Sequence, residues 1–129
     1  MQQLIPYLVY PGNCKEAMQF YASCLHGEIT ILQTFGESPI DVPAEVADRI
    51  FNAEVKAGNI TLKASDDMPG HEVKQGTSVS LYLVFDDKDA KKVAFDKLAD
   101  GGKILFPLKD DFGMLKDKFG VQWMVVHKA

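Results

Sequence analysis

The side chains best suited to chemistry in this chain are two cysteines and three histidines, and the sequence does not cluster them. Cys14 and Cys24 do not form the C-x-x-C pattern of a metal or redox site. Cys14 opens a predicted helix, whose exposed N–H groups and dipole favour a thiolate. It is therefore either a nucleophile or redox residue, or simply a half-buried residue at a helix start. Cys24 shares the apolar face of that helix with Phe20, which predicts a core position. The histidines are too scattered to predict a catalytic triad.

One histidine, His71, lies in a polar stretch that brings several possible ligands together, Asp66–Gly76. Its acidic neighbours are Asp66, Asp67 and Glu72. The stretch is either a lid over a ligand site, with an ion held by these groups, or a solvated linker.

The secondary-structure elements that would position these residues occur twice in the sequence. YLVYPGNCKEAMQFYASCLHGEITI, near the start, aligns without gaps with YLVFDDKDAKKVAFDKLADGGKILF at a spacing of 75 residues. The shared features include Phe20 with Phe95 and Gly27 with Gly102. We interpret this match as an internal duplication of one supersecondary unit.

Each copy predicts the order β-α-β-β-β. The predicted strands are Leu4–Tyr10, Glu28–Phe35, Ile50–Lys56, Ile60–Ser65, Ser78–Phe85, Lys103–Pro107, Phe112–Lys118 and Val121–Lys128. The first helix begins at Asn13, which with Glu16 resembles a capping box, and ends at Gly27 as a C-cap. The second helix spans Lys88–Ala99. The late hairpins also match each other when their turn glycines, Gly58 and Gly120, are aligned.

Composition limits the class of protein. With 129 residues, 47% hydrophobic and 25% charged, the chain predicts one domain made of two repeats, about 1–66 and 77–129. A net charge of -4 argues against nucleic acid as a partner. The sequence contains neither an apolar run of roughly 20 residues nor a signal-peptide pattern, which predicts no membrane partner. Cys14 and Cys24 lie too far apart on one predicted helix to pair with each other, and reduced cysteines favour a cytoplasmic location.

Strand alternation predicts which side chains line a ligand site. One set of alternate residues is wholly apolar and suits a covering helix, whereas the other set is mixed and suits a cavity. With His71 added from the loop, the predicted ligand pocket is Tyr7, Ser80, Tyr82, Gln122, Met124 and His71. The alternative is that these residues simply fill the core. Trp123 points the other way, under a helix or into a subunit contact. Arg49, the only arginine, either meets an anionic ligand or lies at the surface.

Paired βαβββ modules, with Phe-Tyr in the first helix and a late Phe-Gly-Val hairpin, resemble the vicinal oxygen chelate superfamily. This superfamily includes glyoxalase I, bleomycin-resistance proteins and extradiol dioxygenases. PYLVYPGNCKEAMQFY (Pro6–Tyr21) and LKASDDMPG (Leu62–Gly70) are similar to its PhnB-type branch. The resemblance covers essentially the whole chain. It implies an α+β, glyoxalase/bleomycin-resistance-like fold, with two βαβββ modules around a shared cavity, and a homodimer. The family also carries a demethylubiquinone methyltransferase label, but the sequence lacks a strand–G-x-G–helix signature for a nucleotide-like cofactor.

Catalytic members of the superfamily hold a divalent metal with His, Glu or Gln on four inward strand positions. Carried over, these positions are Ile5 (or Pro6), Leu62, Ser80 and Met124. None is a usual ligand for such an ion, so we predict no metal and no cofactor.

Three functions remain open from the sequence. The first is a metal-free module that binds a small, partly aromatic or apolar molecule. The second is an enzyme, either a divergent metal-dependent lyase or oxygenase using His71 and its acidic neighbours, or a metal-free one using Cys14. The third is a dimer that acts through partners and keeps only a vestigial cavity.

Overall fold

The structure, a computed structural model, describes residues 2–128 and divides into two compact units after Val73. The first unit contains β1 (Tyr7–Tyr10), α1 (Cys14–Cys24), β2 (Glu28–Thr34), β3 (Ile50–Ala57) and β4 (Ile60–Asp66). Two short 3-10 turns, Phe35–Glu37 and Ala44–Val46, interrupt the connection between β2 and β3. The second of these turns directly follows Pro43.

The second unit repeats this order with β5 (Leu81–Phe85), α2 (Lys88–Ala99), β6 (Lys103–Lys109), β7 (Phe112–Lys116) and β8 (Gln122–His127). The strand orders are β1-β4-β3-β2 and β5-β8-β7-β6, which are equivalent. In each sheet the two strands that come first and last in the chain, β1 with β4 and β5 with β8, pair in parallel. The other pairs are antiparallel. The predicted α+β class and the two βαβββ modules are confirmed. The first strand of each copy begins three residues later than predicted, at Tyr7 and Leu81.

The start of α1 differs from the prediction. Asn13 makes no side-chain hydrogen bond to the helix, so the capping-box interpretation is wrong. Instead the Asp66 carboxylate, at the end of β4, accepts a hydrogen bond from the Cys14 backbone N–H (2.9 Å). Its other oxygen accepts one from the Ile50 N–H (2.9 Å). A buried residue of a distant strand therefore caps α1. By contrast, α2 is capped locally by Asp87.

The ends of the two helices also correct a prediction. After α1 it is His26, at φ 53°, that takes the left-handed conformation, and after α2 it is Gly101, at φ 75°. Gly27 therefore has another role. A Cβ at this position would lie 2.6 Å from the Lys56 carbonyl oxygen, so glycine is needed where the chain passes close to β3. Gly102 approaches the Lys116 carbonyl of β7 in the same way.

Each helix covers one face of its own sheet. In the first unit the buried helix positions are Cys14, Ala17, Met18, Tyr21 and Cys24, and the sheet residues Leu62 and Ala64 are buried with them. In the second unit Ala94, Phe95 and Leu98 of α2 are buried with Leu83, Leu115, Trp123 and Val125. The predicted core position of Cys24 is confirmed, and Trp123 is buried on the helix side of its sheet, the first of its two predicted places. The opposite face of each sheet is hereafter called its helix-free face.

None of the helices within residues 2–128 is long and apolar enough to cross a bilayer.

Candidate functional site

The helix-free face of the second sheet is apolar and exposed. Tyr82 on β5 and Met124 on β8 are direct partners in the parallel ladder, so the structure places two of the predicted pocket residues side by side. Met124 in turn pairs with Met114 on β7, and Met114 with Phe106 on β6. Tyr82 is 63% exposed and Phe106 is 57% exposed. This row of two aromatic rings and two methionines offers an adaptable apolar contact surface.

In the equivalent row of the first sheet, the two central residues are charged. Tyr7, 53% exposed on β1, pairs with Lys63 on β4, and Lys63 pairs with Glu54 on β3. The Lys63 Nζ lies 4.0 Å from the Glu54 Oε1. The other Glu54 oxygen, Oε2, accepts a hydrogen bond from the Thr30 hydroxyl of β2 (2.7 Å). The sequence predicts Tyr7 of this row as a pocket residue but does not indicate the ion pair.

The Lys63–Glu54 pair was not predicted because the two late hairpins were aligned wrongly by one residue. Aligning Gly58 with Gly120 made Leu62 the counterpart of Met124. The ladders instead pair Lys63 with Tyr7 and Met124 with Tyr82, and the two tyrosines are themselves 75 residues apart. Lys63 is therefore the counterpart of Met124. A slip of one residue transfers a strand position to the opposite face, and Leu62 indeed lies buried on the helix side.

The residues at the superfamily's metal positions do not fit a divalent ion. With the alignment corrected, the four positions hold Ile5, Lys63, Ser80 and Met124. They supply no imidazole and no carboxylate, which such an ion requires. Within the part of the chain that the structure describes, no three His, Cys, Asp or Glu side chains are grouped closely enough to hold a metal.

Gln122 and Ser80, two further residues of the predicted pocket, lie close together in the second unit and are hydrogen-bonded to each other. The Gln122 amide nitrogen donates to the carbonyl oxygens of Thr77 (3.3 Å) and Val79 (3.2 Å) and to the Ser80 hydroxyl (3.4 Å). Gln122 is also buried. Its amide therefore anchors the segment that enters β5, which sequence alternation alone could not indicate.

The acidic group around His71 does not assemble as the ion-binding hypothesis required. Asp66 is only 4% exposed, and its two oxygens are occupied by backbone N–H groups. His71 is exposed, and its Nδ1 lies 3.9 Å from the Asp67 Oδ1. Because Asp66 points into the first unit, it cannot share an ion with exposed His71 and Glu72, and that interpretation is wrong.

Arg49 has a structural role in the first unit. Its Nη1 donates hydrogen bonds to the carbonyl oxygens of Pro11 (3.1 Å) and Asp67 (2.6 Å). It thus connects the loop before α1 to the segment after β4.

The nucleophile hypothesis for Cys14 is also wrong. Cys14 is fully buried, and burial together with the nearby Asp66 charge raises its thiol pKa from 9.0 to about 12. The favourable helix N-terminus is outweighed, because desolvation and a neighbouring anion both disfavour a thiolate.

Comparison with known proteins places this geometry in a family. The family model described as 3-demethylubiquinone-9 3-methyltransferase matches residues 2–126. The chain belongs to this PhnB-like family. Protein YjdN of Escherichia coli is 30% identical, over 95% of this chain and 92% of YjdN.

Solved structures support the same assignment. The chain is similar to protein PA1353 from Pseudomonas aeruginosa, with 36% identity, a TM-score of 0.89, and coverage of 99% and 98% of the two chains. It is also similar to a PhnB protein from Bacillus cereus, with 26% identity, a TM-score of 0.80, and coverage of 98% and 100%. The fosfomycin resistance protein FosX from Listeria monocytogenes shares the fold at 6% identity, with a TM-score of 0.68 and coverage of 99% and 92%. The resemblance to the PhnB-type branch is confirmed by the family match, and the FosX structure supports the glyoxalase/bleomycin-resistance-like fold.

Several residues of the motif that carried the PhnB-like resemblance are core residues. Cys14, Ala17 and Tyr21 of GNCKEAMQFY are buried against the first sheet. The hydroxyl groups of Tyr21 and Tyr10 lie 2.7 Å apart and are hydrogen-bonded. This motif therefore holds α1 on its sheet and does not itself indicate an activity.

Proposed function

We propose that this PhnB-like chain is a metal-free protein that binds a small, partly aromatic or apolar molecule on the helix-free face of its second sheet. The observation that carries the proposal is the apolar row Tyr82, Met124, Met114 and Phe106, whose two aromatic ends are exposed and whose methionines are partly exposed. Large apolar side chains on one contiguous face are unfavourable in water, and a patch of this kind marks a binding surface.

The chemistry of the row suits a small molecule. Aromatic rings supply flat contact area, and methionine side chains adapt to different shapes. The corrected metal positions support a metal-free mode, since Ile5, Lys63, Ser80 and Met124 provide no suitable ligands. We adopt no methyltransferase activity, because the junctions before α1 (Pro11-Gly12-Asn13) and α2 (Asp86-Asp87) carry no G-x-G.

The test begins with elemental analysis of protein purified without added ions or chelator. We expect no stoichiometric transition metal. A ligand screen by thermal shift, run with and without EDTA, should then find an aromatic or apolar compound that raises Tm equally in both conditions.

A matched pair of variants locates the compound that the screen selects. Val84→Ser lies on the helix-free face next to Tyr82, whereas Val93→Ser lies on the outer side of α2 and is similarly exposed (53% and 45%). We expect V84S to weaken binding several-fold and V93S to leave it unchanged. Equal effects of the two variants would contradict the proposed surface.

The alternative, a divergent metal-dependent lyase or oxygenase, predicts a near-stoichiometric ion that EDTA removes together with the thermal shift. That result would overturn the metal-free proposal.

We further propose that the protein is a cytoplasmic homodimer. Cys14 is a free, buried thiol, which suits a reducing compartment.

A further inference from the structure

The helix-free face of the first sheet carries a charged pair that the fold itself does not need. Glu54 and Lys63 are partners on the two central strands, and their side chains are only 15% and 27% exposed. Partial burial of charge is costly unless the groups are well paired. The equivalent partners in the second sheet are Met114 and Met124. The same strand order therefore accommodates an apolar pair at this place.

The charges of this pair are also incompletely paired. The distance of 4.0 Å between the Lys63 Nζ and the Glu54 Oε1 exceeds a hydrogen bond, whose usual range is about 2.7–3.2 Å. Among the described residues, no hydrogen bond is made to either of these two atoms, whereas Glu54 Oε2 is bonded to Thr30. Thr30 thus fixes one carboxylate oxygen and leaves the other facing the ammonium group across a gap.

The width of the gap matches one bridging oxygen atom. An oxygen about 2.8 Å from both atoms would make an angle of roughly 90° between them, which suits a hydroxyl group that donates and accepts. A ligand carboxylate would be repelled by Glu54, and a ligand ammonium by Lys63. A neutral hydroxyl complements both charges, and hydrogen bonds to charged groups are the stronger kind. Tyr7, beside Lys63 and half exposed, offers an aromatic surface to the body of the ligand.

We propose that Glu54 and Lys63 form a hydroxyl-binding site, in which an alcohol or phenol donates its hydrogen to Glu54 Oε1 and accepts one from Lys63 Nζ. This inference goes beyond the proposed function, because it adds a polar site on the first sheet to the apolar surface proposed on the second.

The test uses three probes with one apolar body: 2-naphthol, 2-methoxynaphthalene and 2-naphthoate. Their affinities for the full chain are measured by calorimetry. We expect the wild-type protein to bind 2-naphthol about tenfold or more tightly than the methyl ether, which cannot donate to Glu54. The double variant Glu54→Met/Lys63→Met, which copies the second sheet, should retain binding of the ether and lose the preference for the hydroxyl.

Lys56→Met is the matched control, because Lys56 lies two residues from Glu54 on the same face of β3 and is exposed. It should keep the preference for 2-naphthol. If the double variant does not fold by circular dichroism, Lys63→Met alone should reduce the preference several-fold.

The possible failures are distinguishable. Equal wild-type affinities for the naphthol and the ether would overturn this inference and leave the proposed function standing. Tightest binding of 2-naphthoate would also overturn it, and would indicate an anion site at Lys63. Binding of none of the three probes would count against both proposals.

Discussion

At the scale of single residues, the carboxylates of this chain differ sharply in what they do. Asp66 and Asp67 are adjacent in sequence and look alike as a pair of acids. The first is buried and accepts hydrogen bonds from two backbone N–H groups, at Cys14 and Ile50. The second is partly exposed and accepts one from the neighbouring Met68 N–H (2.9 Å). Their contributions to stability should differ accordingly.

We expect Asp66→Asn to lower the free energy of unfolding by about 2–4 kcal/mol, since the new amide N–H₂ must face one of the two buried donors and leave it unpaired. Asp67→Asn, the matched control, should change it by less than about 0.5 kcal/mol. Urea denaturation followed by circular dichroism measures both. Similar losses for the two variants would show that Asp66 does not hold α1.

The role of Asp66 could not have been predicted from the sequence, because its partners are 52 and 16 positions away. Local patterns pointed instead to Asn13, the usual kind of cap. Likewise Cys14 has the helix position of a reactive thiol, which would lower its pKa. Burial beside Asp66 raises that pKa instead. Local chemistry predicts local contacts well, but it does not reveal groups that the tertiary fold brings together.

At the scale of elements, the chain follows the same backbone path after α1 and after α2, but with different residues. His26 and Gly101 are 75 positions apart and share the left-handed conformation, which costs a non-glycine residue about 1 kcal/mol. The glycine that follows each one packs against a strand carbonyl.

His26→Gly should therefore raise the free energy of unfolding by up to about 1 kcal/mol. Gly27→Ala should lower it by about 2 kcal/mol or more, because its Cβ would overlap the Lys56 backbone and neither side can yield cheaply. Thermal denaturation of both variants measures the difference. A destabilised H26G together with a neutral G27A would reverse the roles assigned to these positions.

Element types and order were predictable because hydrophobic periodicity and turn residues are local signals. The bounds of α2, Lys88–Ala99, agree with the prediction at both ends. The register of the hairpins was not predictable from turn glycines alone. The correct offset depends on β1 pairing with β4, and an error of one residue concealed Lys63 and, with it, Glu54.

At the scale of the whole molecule, each unit has fewer than 75 residues and so a limited core. Large apolar side chains outside the proposed binding row, such as Val79 and Ile104, remain exposed in the single chain. Association is a common way to cover such surface.

We expect light scattering coupled to gel filtration to give twice the chain mass of 14.3 kDa at micromolar concentration. A mass of one chain over the whole accessible concentration range would contradict the proposed homodimer. Repeating the measurement in reducing buffer controls for intermolecular disulfides, which the buried thiols make unfavourable.

The distant cap of α1 has a consequence for the order in which the chain folds during synthesis. Asp87 stands directly before α2 and can cap it as soon as that segment leaves the ribosome. By contrast, α1 must wait for Asp66, so the first 65 residues of a nascent chain contain a helix without its cap. Contacts of such long sequence separation form slowly. The N-terminal unit therefore has a window during translation, longer than that of its C-terminal counterpart, in which a chaperone or protease can engage it.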